Sequence, residues 1–158
     1  RAFGRFISFR LQVNYENFYV SEGTTTSGAV TYEAGIIGKP LPGLNIGFHI
    51  YNPTSQLKNT LTEETLPYIG RLGVRYEFSK DAALHAEVRK QQELPERYAL
   101  GFEYRLIEIL SLRTGAALHP LTNTFGLGLK FASFRTDLAY EYAQVLGSNA
   151  TISLQYEF

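Results

Sequence analysis

The sequence predicts an all-β chain: an antiparallel up-and-down transmembrane β-barrel with about ten strands. Three observations carry that reading. Apolar and polar residues alternate in segment after segment, the period of strands with two unlike faces. Clusters of Gly, Pro, Asn, Ser and Asp separate these segments at hairpin spacing. No segment keeps a helical period, and no run of about 18 apolar residues exists to form a transmembrane helix.

The first segment runs from about Gly4 to Val20, where Ile7, Phe9, Leu11, Val13 and Tyr15 alternate with Ser8, Arg10, Gln12, Asn14 and Glu16. Ser21 to Gly28 is rich in Thr, Ser and Gly and reads as a loop. Val30, Tyr32, Ala34 and Ile36 mark the second strand, with Glu33 on its other side, and Pro40-Leu41-Pro42-Gly43 reads as a tight turn. Leu44, Ile46, Phe48 and Ile50 make the third strand opposite Asn45, Gly47 and His49. Asn52 to Leu66 is the longest connection. Leu72, Val74, Tyr76 and Phe78 then oppose Arg71, Arg75 and Glu77, and Ser79-Lys80-Asp81 turns the chain.

Leu84, Ala86 and Val88 oppose His85, Glu87 and Arg89; after Gln91 to Glu96, Tyr98, Leu100, Phe102 and Tyr104 oppose Glu103 and Arg105. A turn near Ile107–Ile109 leads to Leu110, Leu112, Thr114 and Ala116, with Arg113 opposite. His119 to Asn123 reads as a loop. Phe125, Leu127, Leu129 and Phe131 follow against Gly126, Gly128 and Lys130. After Ser133, Phe134, Leu138, Tyr140 and Tyr142 oppose Arg135, Asp137, Ala139 and Glu141. Leu146 to Asn149 leads into the closing strand, where Ile152, Leu154, Tyr156 and Phe158 alternate with Thr151, Ser153, Gln155 and Glu157.

At this length the chain is read as a single domain, 1–158. The formal net charge is +0, which gives no electrostatic case for a nucleic-acid partner. Cysteine is absent, so disulfides, thiolate metal sites and thiol nucleophiles are excluded. No signal peptide is expected within these residues, because Arg1 opens directly into strand-like sequence. Methionine is absent too, so Arg1 is not the expected start of translation, and a longer chain with further N-terminal strands is expected.

The closing strand resembles that of bacterial outer-membrane barrels, whose last strand alternates in this way and ends in Phe. The resemblance implies that Ile152, Leu154, Tyr156 and Phe158 form a C-terminal signal recognised by the barrel-assembly machinery. It also implies localisation in the outer membrane of a Gram-negative bacterium, with outer-membrane lipid as a partner. With the C-terminus in the periplasm, the connections at Pro40, Ser79, Ile107 and Ser133 are periplasmic and short. Those at Ser21, Asn52, Gln91 and His119 are external and longer, and only Leu146–Asn149 departs from that asymmetry. Tyr76, Phe78, Tyr104, Phe131, Phe134, Tyr156 and Phe158 then form one aromatic belt, and Tyr15, Tyr32, Tyr98, Phe125 and Tyr142 the other. No charge appears at mid-strand positions of the apolar face, and the strand charges share the opposite one. A lysine or arginine amid the apolar face would cost about 2–4 kcal/mol at a bilayer midplane.

From Leu44 onward the pattern resembles outer-membrane barrels of the PorV/PorQ kind, relatives of the long-chain fatty-acid transporter (FadL) superfamily. The residues that carry the likeness are Gly47-Phe48-His49-Ile50-Tyr51-Asn52-Pro53, Arg71-Leu72-Gly73-Val74-Arg75-Tyr76, Gly101-Phe102-Glu103-Tyr104-Arg105, Phe125-Gly126-Leu127-Gly128-Leu129-Lys130 and the closing strand. The resemblance implies a larger barrel of about fourteen strands with an N-terminal plug. This chain shows about ten strands and no plug-like segment, so it is either part of that larger barrel or a smaller one. The resemblance further implies a scaffold or accessory subunit of an outer-membrane secretion (type IX) or assembly complex.

The residues offer little chemistry. His49 and His85 fall on the charged face and His119 in a loop, so no Ser–His pair faces lipid as a barrel phospholipase needs. Asp81 and Asp137 lie away from the external rim that an omptin-type protease uses. No metal spacing and no cofactor motif is present, and Gly126 and Gly128 read as small residues that give lumen side chains room. The candidate site is therefore a lumen charge network of Arg10, Glu33, Arg71, Arg75, Glu77, His85, Glu87, Arg89, Glu103, Arg105, Arg113, Lys130, Arg135, Asp137 and Glu141. Hairpin counting sets Glu103 opposite Arg113 and Arg75 near His85, the stabilising arrangement for a braced interior; the other reading is a polar channel with nearly balanced charge. Three functions compete: a non-enzymatic scaffold, a transporter or channel for hydrophobic small molecules, and a soluble ligand-binding barrel.

Overall fold

A computed structural model describes residues 2–3, 6–19, 26–53, 67–145 and 147–156. Eleven strands follow one another in a single sheet: β1 (Ala2–Phe3), β2 (Ile7–Tyr19), β3 (Thr26–Leu41), β4 (Leu44–Tyr51), β5 (Ile69–Glu77), β6 (Ala82–Gln91), β7 (Arg97–Ile107), β8 (Leu110–Leu118), β9 (Thr122–Phe131), β10 (Phe134–Ala143) and β11 (Gly147–Tyr156). The spatial order is the chain order, and every neighbouring pair is antiparallel. This is the outcome that alternation with short turns dictates, since an antiparallel pair needs only a hairpin while a parallel pair needs a long crossover. The chain is all-β, with no helix among the described residues. Among those residues no pairing joins β11 to β1 or β2, and the sheet is open.

Several boundaries differ from those the sequence suggests. Thr26 to Gly28 belong to β3, and Thr122 and Asn123 belong to β9, although both stretches read as loop. Pro40 and Leu41 also lie in β3, past a register shift between Gly38 and Leu41. A bulge is where a strand can hold a proline, because the missing N–H leaves no ladder bond broken. The turn itself is only Pro42-Gly43, and Gly43 adopts a φ of +78°. A Cβ there would stand 2.7 Å from the Glu77 carbonyl oxygen, so glycine is required twice over. Gly147, read as linker, opens β11 at a φ of +82°. The connection at His119 spans only residues 119–121, so the difference in loop length between the two ends of the sheet is smaller than the sequence suggests. Most of the Ser21 and Asn52 connections, Leu146 and Phe158 lie outside the described residues.

No core forms of the kind a water-soluble domain builds. The buried apolar residues among those described are Ala82, Ala83, Ala117 and Ala143, all small. The accessible surface is 11883 Å², against about 8,000 Å² for a compact soluble monomer of this mass.

Candidate functional site

The registers sort the side chains into two faces. On one, row after row of large apolar residues is exposed across all ten long strands. Ile152 is 74% exposed, Leu154 70%, Leu100 69% and Leu11 70%. Within those strands Lys90, next to last in β6, is the one charged residue on this face among the described residues. Rings gather at the short-turn end. Phe78 stacks on Phe102 at 6.3 Å, Phe102 on Tyr104 at 6.4 Å, and Phe134 tilts against Tyr156 at 5.0 Å. A groove of about 680 Å³ runs among Phe102, Tyr104, Leu127, Leu138, Tyr140 and Ile152. Tyr76 and Phe131, expected in the same belt, are exposed on this face as well.

The other face is hollow. Its central cavity, about 580 Å³, is lined from β4 to β10 and floored by small residues, among them Gly47, Gly73, Gly101, Gly115 and Ala117. Small side chains let long charged ones from neighbouring strands lean across the sheet. All fifteen residues of the expected charge network fall on this face by register. The central ones are partly covered where the apolar face is open: Arg113 is 32% exposed, Glu103 30% and Asp137 26%, while Arg10, Arg71, Glu77, Glu87, Arg105, Lys130 and Glu141 are exposed. This inverts the usual ordering, in which apolar side chains are the covered ones.

The charges fall into separate groups rather than one network. The largest is a chain of five that crosses β6 to β10. His85 lies 3.7 Å from Glu103, Glu103 lies 3.5 Å from Arg113, Arg113 pairs with Asp137, and Arg135 donates to Asp137 at 3.0 Å. The Arg113–Asp137 bridge skips β9, passing over Gly126 and Gly128, which sit opposite Arg113 and Asp137 respectively. A Cβ on Gly128 would meet Asp137 Oδ1 at 2.9 Å and an Arg113 guanidinium nitrogen at 3.2 Å.

A second group runs along β2 to β4. Arg10 donates to Gln12, Gln12 to Asn14 Oδ1 at 2.6 Å and Asn14 to Glu33 Oε1 at 2.8 Å, while His49 Nε2 lies 3.3 Å from Glu33 Oε2. Arg75 pairs with Glu77 on its own strand. Glu103 faces Arg113 and Arg75 faces His85, as hairpin counting gives. Glu87, Arg105 and Glu141 share the face outside these ion pairs among the described residues, and Lys130 lies on it opposite Arg135.

Arg71 and Arg89 are set apart. They oppose one another directly, and Arg89 opposes Arg97, the first residue of β7. Arg97 is a member of the charged face that sequence reading missed. His49, recognised as lying on that face, closes the second group.

At the long-loop end of β6, Lys90 Nζ donates to Glu96 Oε1 in the following loop at 2.8 Å. That bond holds the Glu96 carboxyl below the ordinary carboxylate range. His119 Nδ1 lies 3.0 Å from the Glu96 carbonyl oxygen and ties the two loops together.

No family model matches the chain, and no curated protein matches it either.

Proposed function

We propose that the chain is an integral outer-membrane β-barrel protein, non-enzymatic, acting as a scaffold or accessory subunit of a larger outer-membrane secretion or assembly complex. The observation that carries this reading is the exposed apolar face. An apolar surface across ten strands, with Lys90 its one charged residue and no apolar side chain larger than alanine buried among the described residues, needs an apolar medium or partner to cover it. Acyl chains supply one. Strands β4 to β11 have 8 to 11 residues, close to the roughly 9–11 that a tilted membrane-spanning strand needs. Closing the ring then requires β11 to pair with β2 or with strands outside the described residues, because lipid tolerates no open sheet edge.

A scaffold is favoured over a conduit for hydrophobic molecules by the concave face. Ion pairs brace it from β6 to β10, and Arg75, His85, Arg113 and Asp137 help to line its cavity. The test is fractionation followed by electrophoresis. The protein should sediment with membranes, need detergent for extraction, and migrate faster unboiled than boiled. Recovery in the soluble fraction without detergent overturns the reading. Planar-bilayer recording should show no steady conductance; sustained channels would refute the scaffold role and leave the barrel intact.

A further inference from the structure

We propose that Arg71, Arg89 and Arg97 form an oxyanion site that takes a carboxylate or phosphate group at the long-loop end of the concave face. The three arginines lie in one register row on adjacent strands, Arg71 opposite Arg89 and Arg89 opposite Arg97. Directly opposed side chains have Cβ atoms about 4.5–5.5 Å apart, and like charges so placed destabilise a sheet. A sheet therefore gains nothing structural from three guanidiniums in a row. Elsewhere on this face Arg75 meets Glu77, Arg113 meets Glu103 and Asp137, and Arg135 meets Asp137; Arg10 and Arg105 make no ion pair among the described residues, but neither faces another arginine across the sheet. Among the described residues no carboxylate lies within ion-pair distance of this row.

The neighbouring acids are otherwise placed. Glu87, two residues before Arg89, stands opposite Gly73 and Ala99 and makes no ion pair among the described residues. Glu96 is held by Lys90, and Glu33 by His49 and Asn14. Arg89 donates to Gln91 Oε1 at 3.1 Å, which fixes its head near the rim.

A second feature coincides with the row. A cavity of about 410 Å³ opens against Arg89 and Arg97, walled by Gln91, Leu94, Pro95 and His119. It has room for a phosphate ester or a short carboxylate. Two guanidinium forks on adjacent strands offer paired N–H donors in the geometry that planar and tetrahedral oxyanions accept. Binding would replace a like-charge repulsion with charge-assisted hydrogen bonds. The inference concerns the concave face alone, so it stands or falls independently of what covers the apolar face.

The test uses purified full-length chain in detergent, with inorganic phosphate and hexanoate as separate probes in calorimetric titration. Binding of at least one probe is expected, weakening as sodium chloride rises. Arg89→Gln and Arg97→Gln should each weaken it at least tenfold, while Arg135→Gln, outside the row, leaves it unchanged. Tighter phosphate binding assigns a phosphate group, and tighter hexanoate binding a carboxylate. Without any probe, Arg89→Gln should raise the urea midpoint, because a repulsion has been removed. That readout separates an anion site from a structural arginine, whose loss would lower the midpoint. Equal affinity in wild type and both row variants, no binding of either probe to wild type, or a lowered midpoint in Arg89→Gln overturns the proposal.

Discussion

Gly128→Ala is the sharpest probe of how the charged face is assembled. Gly128 lies on β9 beneath the bridge from Arg113 on β8 to Asp137 on β10. A methyl group there would sit 2.4 Å from Ser111 Oγ, 2.9 Å from Asp137 Oδ1 and 3.2 Å from an Arg113 nitrogen. The serine can rotate away; the two charged groups cannot both move without parting. At 32% and 26% exposure, the bridge falls between an exposed pair, worth about 0.2–1 kcal/mol, and a buried one, whose breaking costs about 3–5 kcal/mol. About 1–2 kcal/mol is a reasonable value for it. Crowding adds to that by about 1 kcal/mol, and the ordinary advantage of alanine over glycine in a strand returns about 0.5–1 kcal/mol. The net expectation is a loss of about 1–2.5 kcal/mol for Gly128→Ala, and more for Gly128→Val. The assay is urea unfolding in detergent followed by far-ultraviolet circular dichroism. The decisive arm repeats the substitution in an Arg113→Leu/Asp137→Ala background, where the alanine should be neutral or slightly stabilising. Coupling of about 1–2 kcal/mol is expected. Equal effects in both backgrounds would refute the claim that glycine is there to let the bridge pass.

Two further predictions address the other parts of the molecule. Leu127→Arg places a cation amid the apolar face between Leu112 and Leu138; in lipid vesicles it should cost about 2–4 kcal/mol, and a change within about 0.5 kcal/mol, ordinary for a water-exposed site, would count against a lipid-facing surface. Glu96 should titrate below the ordinary carboxylate range, because Lys90 donates to it. Its pairing therefore contributes stability above the unfolded-state value that is lost as pH falls through the folded-state one. Carbon-13 NMR should show the midpoint rise in Lys90→Gln; an unmoved midpoint means the pair is absent in solution.

Strand order and register were legible because alternation repeats through every hairpin. A single slip would have moved each apolar residue to the wrong face, so placing Glu103 against Arg113 needed only counting. Strand ends were less legible. Thr122 and Asn123 carry loop-type side chains but need only supply backbone groups to β10 to extend β9. Pro40 hides in a bulge. Arg97 follows Pro95 and Glu96 and reads as loop, which concealed the arginine row, since that row emerges only when two hairpins are aligned together. The Arg113–Asp137 bridge was invisible for a different reason: pairwise counting finds adjacent strands, and this contact leaps one. Expected as a continuous network, the charges separate because their partners are set by which intervening residues are small.

The unequal length of β3 and β4 has a mechanical consequence. Among the described residues β3 meets β4 only from Glu33 onward, and Thr26 to Tyr32 pair with β2 alone. The resulting two-stranded ribbon outruns the sheet, and such ribbons are marginal by themselves and twist strongly. Its root is pinned by the Asn52 amide, which donates to the Tyr32 carbonyl at 2.8 Å beside wholly buried Thr31. Any twist the ribbon carries is thereby anchored at one point, where the end of β4 meets β3.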